Sequence, residues 1–182
     1  VINPDLPSPA DELLVGQSLC KQLEKIFPKV VLLESNHGSM VLRRAMAKGM
    51  SKFFIKDYNE ILDVGKGWQW KERHIIETDK GKIIFAHQFC KDIAKAVREA
   101  SMSCVQGHFH TTSEIKYVAN DFHLNWGMSV GCMVDKKSLA MAYMKVNMAK
   151  PILSCAVITD GVPYIVPMIL KKSGSWDRNI YL

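Results

Sequence analysis

Three short apolar runs in this chain each end in residues that bind metals or move protons. Val30–Leu33 leads to Ser35-Asn36-His37-Gly38, residues 82–86 to His87-Gln88, and residues 102–106 to Gly107-His108-Phe109-His110. Imidazole nitrogen is a ligand for zinc, manganese, iron and related ions, and an asparagine carbonyl oxygen is a harder donor. In open α/β sheets, ligands gather at the carboxyl ends of strands. If the three runs are neighbouring strands, Asn36, His37, His87, His108 and His110 converge on one edge. On an extended backbone, His108 and His110 would point the same way. A bend between them would let them address two ions roughly 3.5–4 Å apart.

The elements that must hold these residues can be read from pattern and punctuation. Each run is short, rich in β-formers or boxed by polar residues, and reads as a buried strand. Helical stretches at 40–48 and 92–100 follow the first and second runs, so strand, helix and strand alternate as in α/β packing. Upstream, Ser8-Pro9-Ala10-Asp11 is a helix start, with Ser8 as N-cap, Pro9 in the first turn and Asp11 near the first amides. Leu13, Leu19, Leu23 and Ile26 give that helix an apolar face, and it ends before Pro28. Residues 75–77 and 83–85 flank Asp79-Lys80-Gly81, a hairpin turn with Gly81 at positive φ. Two more hairpins are expected, 115–119 with 122–126 around Asn120-Asp121, and 155–159 with 162–169 around Asp160-Gly161. From Lys171 onward the chain is polar and is expected to fray. The fold class is therefore α/β with mixed α+β character: an α/β first half, to which the second half adds antiparallel strands.

Composition narrows the setting. With 182 residues, 48% of them hydrophobic and 23% charged, the balance is that of a globular domain and not of a disordered chain. No apolar run is long enough to span a bilayer, and no charged segment followed by an apolar one opens the chain, so neither a membrane nor a signal peptide is expected. The first residue is valine, which points to processing or to a fragment. Five cysteines never form C-x-x-C and lie in or beside apolar runs. That pattern suits buried free thiols in a reducing cytoplasm. The net charge of +6 favours polyanions and keeps nucleic acid among the candidate partners.

The order N-H, a lone histidine after a strand, then G-H-x-H resembles the calcineurin-like metallophosphoesterases. That family is read as D-x-H, G-D, G-N-H-[D/E], H and G-H-x-H. Ser35-Asn36-His37-Gly38 matches the third block, His87 the fourth and Gly107-His108-Phe109-His110 the fifth. The stretch Trp126-Gly127-Met128-Ser129-Val130-Gly131 resembles the family's glycine-serine strand, and the likeness runs over about residues 30–169. The S-N-H-G form is similar to bacteriophage-encoded members, which would place the protein in a host cytoplasm.

The resemblance implies a calcineurin-like β-sandwich flanked by helices, with 1–182 forming a single partial domain that lacks the first strands and their D-x-H and G-D motifs. Asn36, His87 and His108 would bind one of two divalent transition metals (Mn, Fe, Zn or Ni). His110 would bind the other, together with the Asp and His of D-x-H, and the G-D aspartate would bridge them. His37 would be catalytic, protonating the leaving oxygen of a phosphomonoester or phosphodiester or stabilising charge on it. Arg43 and Arg44, one turn into the following helix, are candidate substrate contacts, and the amides of Gly38 and Ser39 are candidate phosphate donors.

The chain departs from the pattern in two ways. Ser35 stands for the usual glycine, and Gly38 for the acidic residue that would orient His37. No D-x-H or G-D lies upstream of Val30: Asp5 sits among prolines and Asp11 serves the helix start. The expectation is that a complete protein is catalytic and that this chain, with three ligands for one metal and one for the other, is barely so. The competing reading is a non-catalytic interaction module on a degenerate phosphoesterase fold. Other residues take plainer roles. His74, after a charged run, and His123, in a hairpin strand, are structural or surface residues. Trp68 and Trp70 share a face if extended and are expected to pack in a core or rim, the alternative being that they line a substrate cleft. The methionines from Met128 to Met148 fill core, and Lys136, Lys137, Lys145, Lys171 and Lys172 are solvated.

Overall fold

The structure is a computed structural model that describes residues 8–134 and 149–180. Lys136, Lys137, Lys145, Met141, Met144 and Met148 lie outside the described residues. The chain forms a mixed α/β architecture whose contacts fall into two compact units, Val1–Glu72 and Arg73–Leu182.

The first unit opens with helix α1, Pro9–Ile26. Ser8 is the N-cap, as the sequence suggests: its hydroxyl accepts from the Asp11 amide, and the Asp11 carboxylate accepts from the Ser8 amide, which completes a reciprocal capping box. Strand β1, Val30–Leu33, follows, then helix α2, Met40–Ala47, a 3-10 turn at Lys52–Phe54, helix α3, Tyr58–Leu62, and strand β2, Trp68–Lys71. β1 and β2 pair in parallel, with Val30 opposite Trp68 and Leu33 opposite Lys71. Polar side chains tie α1 to the segment before β2. Gln17 donates to the Ile61 carbonyl (2.8 Å), Glu24 accepts from the Gly65 amide (2.6 Å), and Lys21 pairs with Asp63. Trp68 is buried and its indole N–H donates to the Phe27 carbonyl at 3.0 Å. The α1 leucines do not form a buried face, for Leu13, Leu19, Leu23 and Ile26 all remain exposed.

The second unit is built on a five-stranded sheet. Its strands are β3 (Arg73–Thr78), β4 (Gly81–Ala86), β5 (Ser103–Gln106), β6 (Ser113–Ala119) and β7 (Leu124–Val130), in the order β3-β4-β5-β7-β6. β4, β5 and β7 run parallel, and β3 and β6 flank them antiparallel. Successive residues of a strand face opposite sides, and the core divides accordingly. Ile84 and Cys104 pack under helix α4, Ile93–Ala100, with Ile93, Ala96 and Val97. Ile83, Val105, Trp126 and Met128 pack against the hairpin of β8 (Ser154–Thr159) and β9 (Val162–Pro167). Gly127 permits the α4 contact: a Cβ there would lie 2.6 Å from Ile93 Cγ1 and 2.8 Å from Val97 Cγ2.

The β8–β9 turn has Asp160 at φ 50 and Gly161 at φ 77, the left-handed pair that two-residue hairpins require. Gly81 is likewise at positive φ. The β6–β7 hairpin differs from expectation. Ala119 pairs with Leu124, so the turn has four residues and includes Phe122 and His123. The reason is the Asn120 side chain, whose oxygen accepts from the amides of both Phe122 and His123 (2.9 Å each) and widens the turn. The tail is also more ordered than its polarity suggests, since Leu170 bridges to Trp176 and the Lys171 amide donates to the Ser175 carbonyl.

Candidate metal and catalytic residues

Adjacent parallel strands place three of the candidate histidines at one sheet edge. β4 and β5 are neighbours, with Ala86 opposite Gln106, so His87 and the Gly107-His108-Phe109-His110 loop leave the sheet side by side. The Gly107 amide donates to the His87 carbonyl at 3.1 Å. The rings then converge: His87 Nε2 lies 3.1 Å from His108 Nδ1, with the imidazole planes 82° apart. One ring must carry the shared proton when both are neutral.

The loop bends at His108. Its φ is 63, and the Phe109 amide donates to the Gly107 carbonyl at 2.7 Å across it, which closes a γ-turn. A non-glycine residue held this way costs about 1–3 kcal/mol. The neighbouring Gly107 does not take this conformation. A second short turn follows, with the His110 amide donating to the His108 carbonyl at 3.0 Å, and the Ile152 amide anchors the His110 carbonyl at 2.8 Å. The extended backbone that would point His108 and His110 alike is thus broken between them.

A residue that the sequence reading passed over fixes the loop after β4. Gln106 is buried at the end of β5. Its side-chain oxygen accepts from the Phe89 amide (2.9 Å), while its amide donates to the Cys90 carbonyl (2.9 Å) and the Ser129 hydroxyl (3.1 Å). The available signal was an amide closing an otherwise apolar strand, a position where burial demands partners.

In the first unit, Ser35-Asn36-His37-Gly38 forms a turn between β1 and α2. The Ser35 hydroxyl accepts from the Gly38 amide (2.8 Å) and its carbonyl accepts from the Ser39 amide (2.9 Å). The expectation that these two amides receive phosphate is therefore corrected, because both are engaged in closing the turn. Asn36 and His37 are exposed. Arg43 folds back on the turn: its Nη2 donates to the Asn36 carbonyl at 2.7 Å and its Nε to the Ser39 hydroxyl at 3.2 Å. Arg44 is exposed and makes no side-chain bond among the described residues. The Tyr58 hydroxyl donates to the Gly38 carbonyl at 2.6 Å. Burial, then the charge of Glu34, push its pKa up and keep it a donor.

The strand ahead of Asn36 and His37 pairs with β2, not with β4 or β5, so the three runs do not lie in one sheet. Among the described residues, no group of three or more His, Cys, Asp or Glu is disposed to hold a metal ion. His74 lies in β3 opposite Phe85, and His123 lies exposed in the β6–β7 turn. Asp121-Phe122-His123 spells D-x-H, but it sits at the end of the sheet opposite His87 and His108, because β7 runs parallel to β5. Trp70 stacks on Tyr58, with centroids 5.3 Å apart. Met128 is fully buried, as core filler should be, whereas Met133 is exposed. No helix among the described residues is long and apolar enough to cross a membrane. Compared with known proteins, the chain matches no family model and no curated protein.

Proposed function

We propose that the chain carries part of the centre of a dinuclear metallophosphoesterase of the calcineurin-like type, acting on phosphomonoesters or phosphodiesters. The observation that carries this reading is the His87–His108 pair at the ends of adjacent parallel strands, with the backbone strained at His108. Residues in unfavourable φ regions concentrate at functional sites. The donor set also suits a metal. Two imidazole nitrogens lie 3.1 Å apart at one sheet edge, and imidazole is a common ligand of divalent transition metals.

In this reading His87 and His108 would hold one metal and His110 the other; Mn, Fe, Zn and Ni all fit imidazole donors. Such a metal pair supplies Lewis acidity and lowers the pKa of bound water. The chain's own residues do the rest. His37 donates a proton to the leaving oxygen. Arg43 holds the backbone of Asn36, which makes it a positioning residue; Arg44 remains a candidate for contact with the substrate anion. Gln106 keeps the loop after His87 in place. No carboxylate is assigned to either metal, so affinity and turnover by this chain alone should be low, because carboxylates would offset the charge of two dications.

The test is manganese-dependent hydrolysis of bis-p-nitrophenyl phosphate by this chain and by a form extended upstream with D-x-H and G-D, together with cobalt absorption spectroscopy of metal binding. The expected result is turnover in the extended form, loss of it in His37→Ala, and loss of the cobalt spectrum in His108→Ala. Cobalt binding that His87→Ala and His108→Ala leave intact would overturn the assignment. An extended form inert with every divalent metal would put the non-catalytic interaction module ahead.

A further inference from the structure

We propose that the first unit contains a binding pocket for a nucleoside-type ligand, a planar nitrogen heterocycle bearing N–H and O–H donors, beside the His37 turn. A cavity of about 470 Å³ opens there, lined by residues from the end of β1, the Gly38 turn, α2, residues 52–61 and Trp70 of β2. Small-molecule sites typically run from about 300 to 1,000 Å³, mostly apolar with a few polar groups. Val41, Leu42 and Ile55 supply apolar wall. The stacked Tyr58 and Trp70, 21° from coplanar, also line the cavity, and the Tyr58 hydrogen bond to Gly38 fixes that platform. Nucleobases bind aromatic platforms of this kind because every base has a π face.

The polar groups select the kind of ring. Glu34 and Asp57 line the cavity, and among the described residues neither carboxylate has a hydrogen bond or ion pair. Asp57 occupies the N-cap position of α3 yet makes no capping bond. Both Glu34 and Asp57 are exposed; an ionised carboxylate only accepts, so toward a ligand in the cavity the pair can bind N–H donors such as the amino edge of a base. Lys52, also in the lining and without a side-chain partner among the described residues, supplies a cation for a phosphate.

Gly38 lines this pocket and directly follows His37. If the phosphoesterase reading holds, the nucleoside is the leaving group whose ester oxygen His37 protonates. The pocket itself does not depend on that reading, and binding without metal separates the two.

The experiment is calorimetric titration of the full chain, in EDTA, with guanosine 5′-monophosphate and with ribose 5-phosphate as the base-free comparison. Guanosine 5′-monophosphate should bind at least tenfold more tightly. Trp70→Leu should weaken it about tenfold, in line with base–aromatic stacking. Val41 is 74% exposed, so Val41→Trp should fold normally by circular dichroism while closing the cavity and abolishing binding. Glu34→Gln with Asp57→Asn should weaken the nucleotide several-fold and leave ribose 5-phosphate less affected. Equal binding of the two ligands, no binding of the nucleotide, or nucleotide binding unchanged in Val41→Trp would each overturn the pocket. Nucleotide binding without bis-p-nitrophenyl phosphate hydrolysis by the extended form would sink the phosphoesterase reading and leave the pocket standing; hydrolysis without nucleotide binding would do the reverse.

Discussion

Replacing His108 in two ways separates the strain of its backbone from the contacts of its ring. His108→Ala removes the imidazole but keeps a Cβ at φ 63. His108→Gly removes the same ring and also the Cβ. For a residue with a Cβ a positive φ costs roughly 1–2 kcal/mol. Glycine avoids that cost but gives back about 0.4–1 kcal/mol through the greater freedom of its unfolded chain. The difference leaves the glycine variant more stable than the alanine variant by about 0.5–1 kcal/mol. Both variants lose the contact with His87, so that term cancels. With a urea slope of about 1–3 kcal/mol per molar, the midpoint should rise by a few tenths of a molar from alanine to glycine. Urea unfolding followed by circular dichroism is the assay. Gly107→Ala is the control. A Cβ there meets only the His87 carbonyl at 3.9 Å, an ordinary contact, and φ is not positive. It should therefore be neutral or slightly stabilising. A glycine variant no more stable than alanine at 108, or a larger penalty at 107 than at 108, would refute the location of the strain and remove the main support for a functional loop.

Three further outcomes follow from the same structure. Gln106→Leu strips the Phe89 amide, the Cys90 carbonyl and the Ser129 hydroxyl of their partner, and buried unsatisfied groups cost about 1–3 kcal/mol each; thermal unfolding should show a loss of at least 2 kcal/mol, and a neutral variant would refute the clamp. Cys104 is fully buried, and burial, then the nearby Cys90, push its thiol up to about 11; native alkylation at pH 8 followed by mass spectrometry should label exposed Cys155 and spare Cys104, and equal rates would contradict this core. Asp92 caps α4 and has its pKa lowered, first by the Lys116 hydrogen bond. Its contribution is present above the unfolded Asp value and is lost as pH falls through the lower folded one, while Lys116, raised first by Asp92, contributes below its unfolded value and loses this as pH rises through the folded one. Acid titration of stability should therefore be flatter in Asp92→Asn than in the parent below about pH 4, and identical slopes would dismiss the pair.

Much of this molecule was legible along the chain. The Ser8 N-cap, the strands that precede Ser35, His87 and Gly107, helix α4 and the Asp160-Gly161 turn all depend on residues within a few positions of one another. Sequence spacing records such relations directly, because a cap, a positive φ or a period of two is a local property. The β6–β7 turn was misjudged by two residues, since the Asn120 side chain competes with the strand ladder and its choice depends on the register of the sheet. Strand partners were not legible. β1 pairs with β2, a short tryptophan-containing strand that carries no alternation long enough to announce it, whereas β4 and β5 pair with each other. Pairing is decided by which faces can be buried together across long stretches of chain, and no local pattern encodes it. For the same reason the sequence determined that His87, His108 and His110 each follow or sit near a strand end, but only the tertiary structure set two imidazoles 3.1 Å apart, placed the strain on His108 and turned Gln106 inward to hold the neighbouring loop.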